Sequence, residues 1–247
     1  MTVRNRIVVV TSPAVAAILC ILLFVPYLFC AAQTTVVDVK DESTVRCPVR
    51  MSGTMEFTEW EVDGVNHTSF VNKLSATNLS NLPIVALVTY TSIANSRGPL
   101  LADERQLDAF FSRDLEIAPG QTWTKTRNDN GEFITPFSDK AAKVAPAATS
   151  QVIFVQFADG NTCGNANDGR VTSLMDARAD LLLALNKWND AAKIGEDKFL
   201  KALDYKVTDR TGNAEGILGN IRDMQKEKGS TAAIEYIRSM LDVAATR

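Results

Sequence analysis

From Thr44 to Ala158 the chain shows short β-rich runs of apolar and polar positions, which predict β-strands. Turn residues separate these runs at intervals of about 8 to 15 residues. In the run 84–90, Ile84, Ala86 and Val88 share one face, and the run 152–157 is apolar on both faces. Both runs therefore predict central strands. The predicted strands are 45–51, 54–62, 65–77, 84–93, 107–117, 121–127, 132–137 and 151–158.

The last third changes to the periodicity of helices. No proline follows Pro146, and Leu174, Leu181 and Trp188 recur at seven-residue spacing, which is the repeat of an apolar helix face. Ser173 is the predicted N-cap of the first helix. This periodicity fits either a small bundle or packing on the sheet. The predicted helices are about 173–193, 196–204, one from Asn213 to Gly229, and 231–245.

Turn sequences and one longer arrangement add to this pattern. Asp63–Gly64 and Asn130–Gly131 predict hairpin turns, because Asn, Asp and Gly tolerate positive φ. The corner 78–84 (Asn-Leu-Ser-Asn-Leu-Pro-Ile), the turn 118–121 (Ala-Pro-Gly-Gln) and the strand 154–157 (Phe-Val-Gln-Phe) follow in that order. The arrangement resembles bacterial extracellular immunoglobulin-like sandwich modules over residues 44–160. The resemblance implies an antiparallel β-sandwich and an envelope or extracellular setting.

The predicted fold class is α+β, with strands first and helices after them. An antiparallel immunoglobulin-like β-sandwich is followed by a C-terminal region of about four short helices. The predicted organisation is a signal peptide or signal anchor at 1–32, a linker at 33–43, the sandwich at 44–160, a polar connector at 161–171 and the helical region at 172–247.

The N-terminal segment has the features of an export signal. Arg4 and Arg6 precede the apolar run 7–32, and its ending 30–32 (Cys-Ala-Ala) places small residues before a cleavage site at Gln33. Cleavage there predicts an exported protein, periplasmic or extracellular. The run is also long enough to span a bilayer, so a single-pass inner-membrane anchor is the alternative. An uncleaved run is the only membrane contact that we expect.

The cysteines predict one disulfide. Cleavage removes Cys20 and Cys30 and leaves Cys47 and Cys163. In an oxidising compartment two remaining cysteines favour a bridge between them. A bridge between Cys47 and Cys163 closes a loop of more than 100 residues. In the chain-entropy model such a bridge contributes roughly 4 to 5 kcal/mol to the free energy of unfolding. The alternative is two buried or free thiols.

Composition narrows the chemistry that the chain can carry. Lys and Arg number 26 against 29 Asp and Glu, so no basic surplus favours nucleic acid as a partner. A single histidine and the lack of a thiol cluster exclude most histidine catalysis and most zinc sites. The sequence has no GxSxG, GxxxxGK[ST] or GxGxxG motif. We therefore assign no catalytic residue, no cofactor and no metal.

The polar loop 159–169 has a calcium-like composition. Asp159, Asn161 and Asp168 could supply oxygen ligands, but Arg170 stands where an EF-hand loop needs a bidentate Glu. A cationic side chain at that position repels calcium. The loop is interpreted as a connector, with an irregular calcium site as the alternative.

Several further side chains are candidates for chemistry. Paired carboxylates catalyse the hydrolysis of glycosidic bonds, yet strand alternation places Glu59, Glu61 and Asp63 on one face, which is interpreted as a solvated strand face. His67 is predicted to lie on a surface strand. The tryptophans could form a carbohydrate platform if they were exposed together, but core positions are favoured. The carboxylates are Glu56, Glu59, Glu61 and Asp63, and the tryptophans are Trp60, Trp123 and Trp188.

The leading hypothesis is an exported, non-enzymatic binding or structural module of the envelope or extracellular space, whose partner is an unknown protein or glycan. One alternative is a carboxylate-dependent glycan hydrolase that uses residues such as Glu59 and Glu61. Another is a membrane-anchored envelope assembly factor held by residues 7–32.

Overall fold

The computed structural model describes residues 32–43, 46–62, 65–95, 98–133, 146–204 and 213–247. Nearly all of the predicted signal segment and the Asp63–Gly64 turn lie outside the described residues. Over the part described, the predicted α+β class is confirmed, with strands first and helices after them.

The elements are named in chain order. The strands are β1 (Gln33–Asp41), β2 (Val49–Val62), β3 (Val65–Asn78), β4 (Ile84–Asn95), β5 (Gly98–Asp108), β6 (Thr122–Phe133), β7 (Ala147–Phe157) and β8 (Thr162–Gly164). The helices are α1 (Gly169–Ile194), α2 (Glu196–Ala202), α3 (Asn213–Lys228) and α4 (Ser230–Ala244). A 3₁₀ turn spans Arg113–Leu115 between β5 and β6.

The named strands form one curled sheet. Its order is β5-β4-β7-β1-β2-β3-β6, and β8 pairs with β7. β1 joins the two halves, because residues 33–38 pair antiparallel with β2 and residues 39–41 pair parallel with β7. The segment 33–43, expected to be a linker, therefore contains a strand. Burial alternates along this strand, since Val39 is buried between the exposed Asp38 and Lys40.

The main apolar core lies between the two halves of the sheet. Inward side chains from β2 and β3 meet those from β4 and β7 in one cluster, in which each buried large side chain contributes about 1.5–3 kcal/mol. β4 and β7 are central strands, as the sequence predicts, and their other face lies under α1. Members of the cluster include Met55, Phe57, Phe70, Leu74 and Leu87.

The predicted strands 45–51 and 54–62 form one longer strand, β2. Gly53 lies where the break was expected, and a Cβ there would lie only 2.3 Å from the carbonyl oxygen of Lys73 on β3. The glycine therefore permits the close approach of β3 and does not end the strand.

The predicted hairpin turn at Asn130–Gly131 is wrong. β6 continues through these residues to Phe133, so the predicted strands 121–127 and 132–137 are joined as far as the structure describes them. β6 pairs Asp129 with Phe70 and Phe133 with Thr68, which leaves extra residues on β6 between the two pairs. The Asn-Gly sequence lies in a β-bulge, a feature that favours the same backbone freedom as a turn.

The predicted strand 107–117 is wrong over most of its length. β5 covers Gly98–Asp108, and the chain then turns toward β6. The prediction failed because Asp103 and Arg105 occupy inward-facing positions of β5, where the apolar pattern of a strand is expected.

Four helices lie where the periodicity predicts them, apart from their exact ends. α1 begins earlier than predicted because Asp168, and not Ser173, is its N-cap. The first turns of α1 pack on the sheet through Val171 and Leu174. The rest of α1 packs with α2, α3 and α4 around Trp188, so both predicted packing modes occur in the same helix.

A buried arginine fixes α1 against the sheet. Arg178 donates from Nη2 to Asp108 at 2.7 Å and from Nη1 to the Gln156 side chain at 2.6 Å. Its guanidinium lies 4.4 Å from the centre of the Phe110 ring. These contacts join α1 to the end of β5 and to β7. Among the described residues, no helix is long and apolar enough to cross a membrane.

The predicted disulfide between Cys47 and Cys163 is present, with the two Cα atoms 5.6 Å apart. It links the segment before β2 to β8, five residues before the N-cap of α1. Both cysteines pack against the main apolar core. The bridge therefore holds the start of the helical region next to the sheet.

Replacing both cysteines by serine should lower the free energy of unfolding by about 2 to 5 kcal/mol, because the bridge restrains the unfolded chain over a long loop. Urea unfolding with and without reductant measures this. We expect reductant to lower the midpoint of the native protein and to leave that of the double variant unchanged. Equal midpoints for the oxidised native protein and the double variant would contradict the prediction.

Candidate functional site

The two edge strands of the curled sheet, β5 and β6, are joined by side chains. Arg105 of β5 donates from Nη1 to the carbonyl oxygen of Lys125 on β6, at 2.5 Å. Its Nη2 donates to the carbonyl oxygen of Asn72 on β3, at 3.2 Å. Arg105 reaches across because positions 103, 105 and 107 of β5 all point into the curl. A single guanidinium thus spans the opening between the two edges.

Asp103 lies at the centre of this contact and is only 1% exposed. Its Oδ2 accepts hydrogen bonds from Arg105 Nε and Asn72 Nδ2, both at 2.8 Å, and its Oδ1 accepts one from Arg127 Nη1 at 2.8 Å. A buried carboxylate needs compensation of this kind. We call Asp103, Arg105, Asn72 and Arg127 the Asp103 network.

A row of buried polar residues continues the network into the sheet. Thr91 of β4 is the cross-strand neighbour of both Asp103 on β5 and Ser150 on β7. The Thr91 hydroxyl lies 3.3 Å from that of Ser150, and both residues are fully buried. On the β3 side, Asn72 Oδ1 is buried and has no hydrogen-bond partner within the described part of the chain. The curl therefore has a polar layer beside its apolar core.

A cleft of about 840 Å³ opens over the Asp103 network. We call it the seam cleft. It is lined by residues 103–106 of β5, residues 125–127 of β6, and Gly169, Arg170 and Ser173 of α1. Every lining residue within the described ranges is polar, charged or glycine. Its volume falls within the range of about 300–1,000 Å³ that is common for ligand sites.

Arg170 is held at the α1 side of the cleft by two contacts. Its Nε and Nη2 each donate to a different oxygen of Asp168 at 2.7 Å. Its guanidinium also lies 4.7 Å from the centre of the Tyr90 ring, a cation–π contact. The side-chain hydrogen bond from Arg170 lowers the pKa of Asp168 from 3.8 to about 2, and the same bond raises the pKa of Arg170.

Two candidates from the calcium-like loop have other roles in the structure. Asp159 accepts a hydrogen bond from the backbone N–H of Asn161 at 3.0 Å, within its own turn. Asp168 is engaged by Arg170, whose positive charge opposes a cation there. Across the described ranges, no group of three or more His, Cys, Asp or Glu side chains could hold a metal ion.

The acidic residues of β2 do not gather into one site. Glu56 forms an exposed ion pair with Lys73 at 2.9 Å. Glu59 and Glu61 have the opposite strand parity, so they lie on the other face from Glu56. Asp63 lies outside the described residues.

The tryptophans are in three different places. Trp188 is fully buried among the helices, as predicted. Trp123 is partly buried against the main core. Trp60 lies near the C-terminal end of β2, where its ring stacks on that of His67 of β3 with ring centres 5.6 Å apart. A common aromatic platform is therefore not formed.

Sequence reasoning missed Asp103, Arg105, Arg127 and Asn72. One signal was available, since Asp103 and Arg105 alternate in phase with Leu107 and so extend an inward face. Their partners on β3 and β6 lie 20 to 33 residues away along the chain. No local sequence pattern indicates a pairing over that distance.

Comparisons with known proteins add little. No protein-family model matches the chain, and no curated protein matches it. Among solved structures, the chain is similar to the trimeric lipoprotein SadB of Salmonella enterica, with 13% sequence identity and a TM-score of 0.21. The match covers 57% of this chain and 70% of that one. A likeness this slight carries no argument about fold or function.

Asp103→Asn should lower the free energy of unfolding by about 3–5 kcal/mol, because it leaves the buried Arg105 without its counter-charge. The neighbouring Glu104→Gln, on the outer face, is the matched control and should cost about 1 kcal/mol or less. Urea unfolding of both variants measures the difference. Equal effects would show that the buried ion pairs do not hold the two edges together.

The low pKa of Asp168 predicts a pH dependence. Because the carboxylate is more acidic in the folded protein, its stabilisation is complete above about pH 4 and is lost as the pH falls toward 2. The native protein should therefore lose more stability over this interval than Asp168→Asn, which can still cap α1. Thermal unfolding at several pH values measures this, with the exposed Asp176→Asn as control. Parallel curves for native protein and Asp168→Asn would contradict the prediction.

Proposed function

We propose that the protein is an exported, non-enzymatic binding module of the bacterial envelope or extracellular space, and that the seam cleft contacts its partner, a protein or a glycan. The observation that carries this proposal is that Asp103, Arg105 and Arg127 of the cleft are held by one another. Each oxygen of Asp103 already accepts a hydrogen bond from a cation or an amide. Such a carboxylate positions other groups, and at 1% exposure it presents no oxygen to a substrate.

Preorganisation also supports a binding role. Arg127 is anchored by Asp103, and Arg170 by Asp168 and the Tyr90 ring. Side chains that are already held in place lose little conformational entropy when a ligand binds. The cleft is built mainly on strands and a helix end, which give a fixed geometry.

The disulfide supports the exported location. Bridges of this kind persist in oxidising compartments such as the periplasm and the extracellular space. The apolar run 7–32 behind Arg4 and Arg6 supplies a signal for export. We further propose that the curled sheet is a form of the immunoglobulin-like sandwich, since β1 passes from one half to the other and one core lies between the halves.

The test uses the protein recovered from the soluble envelope or medium of its native host. Its intact mass should match residues 33–247 with both thiols protected until reduction. The same sample should co-sediment with washed envelope fragments of that host and release no reducing sugar ends from them, because binding without turnover is expected.

Three results would overturn the proposal. Release of reducing ends that disappears in Glu59→Gln or Glu61→Gln would make the protein a glycan hydrolase. A full-length mass found only in the membrane fraction, with reactive cysteines, would favour the anchored assembly factor. An exported protein that stays in the supernatant would show that the envelope carries no partner for it.

A further inference from the structure

We infer that the seam cleft binds a negatively charged saccharide, one that carries carboxylate or phosphate groups beside its hydroxyls. This inference rests on the proposed binding role and names the class of ligand. It is drawn from the charges and polar groups that line the cleft and from the way the two sheet edges are closed.

The charge of the cleft favours an anion. Among the residues that the structure describes, the lining holds the cationic side chains of Arg105, Lys125, Arg127 and Arg170 against the carboxylates of Asp103 and Glu104. Even when Asp168, the partner of Arg170, is counted with the carboxylates, one positive charge remains in excess. Lys125 is exposed and forms no ion pair with the described residues. An anionic group placed in the cleft would meet this excess charge.

The uncharged lining residues favour a ligand rich in hydroxyls. Gln106, Thr126 and Ser173 lie among the cations. The Gln106 amide donates to Glu104 and the Ser173 hydroxyl donates to the Gly169 carbonyl oxygen, so these two residues offer a ligand acceptor oxygens, and Thr126 offers a hydroxyl. None of the described lining residues is aliphatic or aromatic, so these residues offer no surface that matches an apolar ligand or a stacked nucleobase. A sugar with an acidic group matches both features of the lining.

The closed seam disfavours an extended peptide. A peptide that adds a strand to an exposed edge bonds to its backbone donors and acceptors. Here the Lys125 carbonyl already accepts Arg105, and Arg105 and Asp103 reach from β5 toward β6. Strand addition at this point would break the Asp103 network and uncover its buried charges, whereas a saccharide could rest on the side chains.

Arginine geometry supplies a way to hold the acidic group. A guanidinium can bind a carboxylate or phosphate through two parallel N–H donors. Arg170 uses Nε and Nη2 on Asp168, while its Nη1 makes no hydrogen bond to the described part of the chain. Lys125 adds a point charge from β6, so the acidic group can be approached from both walls of the cleft.

The test is calorimetric titration of the oxidised, exported protein with four probes. These are a short uronic-acid oligosaccharide, a neutral oligosaccharide of the same length, a sugar monophosphate and inorganic phosphate. We expect the uronic-acid oligosaccharide or the sugar phosphate to bind, with an affinity that falls as salt is raised. The neutral sugar and inorganic phosphate should bind at least about tenfold more weakly.

Charge reversal at one exposed lysine makes the test specific to the cleft. Lys125→Glu should weaken binding by about tenfold or more, because an attraction becomes a repulsion. Lys198→Glu, the same reversal on the exposed face of α2, is the control and should change affinity by less than about twofold. Both lysines are exposed, so each variant should unfold at the temperature of the native protein.

The outcomes separate this inference from the proposed function. Equal binding of the neutral and acidic sugars, or unchanged binding in Lys125→Glu, would overturn the inference. Inorganic phosphate that binds as tightly as the sugar phosphate would show that the cleft recognises an anion and no saccharide. If the protein co-sediments with envelope fragments but binds none of the charged sugars, the inference is wrong and the proposed function stands. If the protein neither co-sediments with envelope fragments nor binds the charged sugars, both the inference and the proposed function are rejected.

Discussion

The buried carboxylate of Asp103 is the constraint on which the arrangement of the sheet depends. A sheet with strand order β5 to β6 has two edges, and here the curl brings their side chains together without the two strands being neighbours in the ladder. Arg105 and Arg127 compensate the charge of Asp103 from opposite edges. Burying the charges of Asp103 and Arg105 is costly, so an arrangement that pairs them is favoured. The network thereby favours the contact between the β5 edge and the β6 edge. It also places inward-pointing charges at both edges, which discourages pairing with a strand of another chain.

Helix α1 connects this sheet to the helical region and forms one wall of the cleft. Three contacts set its position: the disulfide before its start, the Asp168–Arg170 pair at its first turn, and Arg178 bound to Asp108. Its first turns pack on β4 and β7, and its later turns pack on α2, α3 and α4. Because the same helix belongs to both cores, a shift of the helical region would move Arg170 relative to Lys125 across the cleft.

The parts of the fold that could be predicted from the sequence are those with a local period. β4, β7 and the four C-terminal helices bury regular apolar faces, and the pairing of Cys47 with Cys163 follows from the prediction that Cys20 and Cys30 belong to a cleaved signal. β5 was missed because its inward positions carry Asp103 and Arg105. The Asn130–Gly131 sequence was misread, since a bulge and a hairpin turn need the same backbone freedom. The candidate site depends on hydrogen bonds and ion pairs between β3, β5 and β6. These contacts join residues far apart in the chain, so no local sequence pattern indicates them.

The charge of the cleft follows from the way the sheet is closed. One carboxylate at the centre takes two arginines to satisfy its oxygens from the two edges, so the closure itself leaves a positive excess. Arg105 is almost fully buried, but the side chain of Arg127 is 49% exposed while it holds Asp103. The ion pair between Arg127 and Asp103 thus stabilises the fold and also leaves a fixed positive charge exposed to solvent. Lys125, two positions away on the same inward-facing side of β6, extends that charge along the strand. A cationic surface is therefore a direct consequence of the closure.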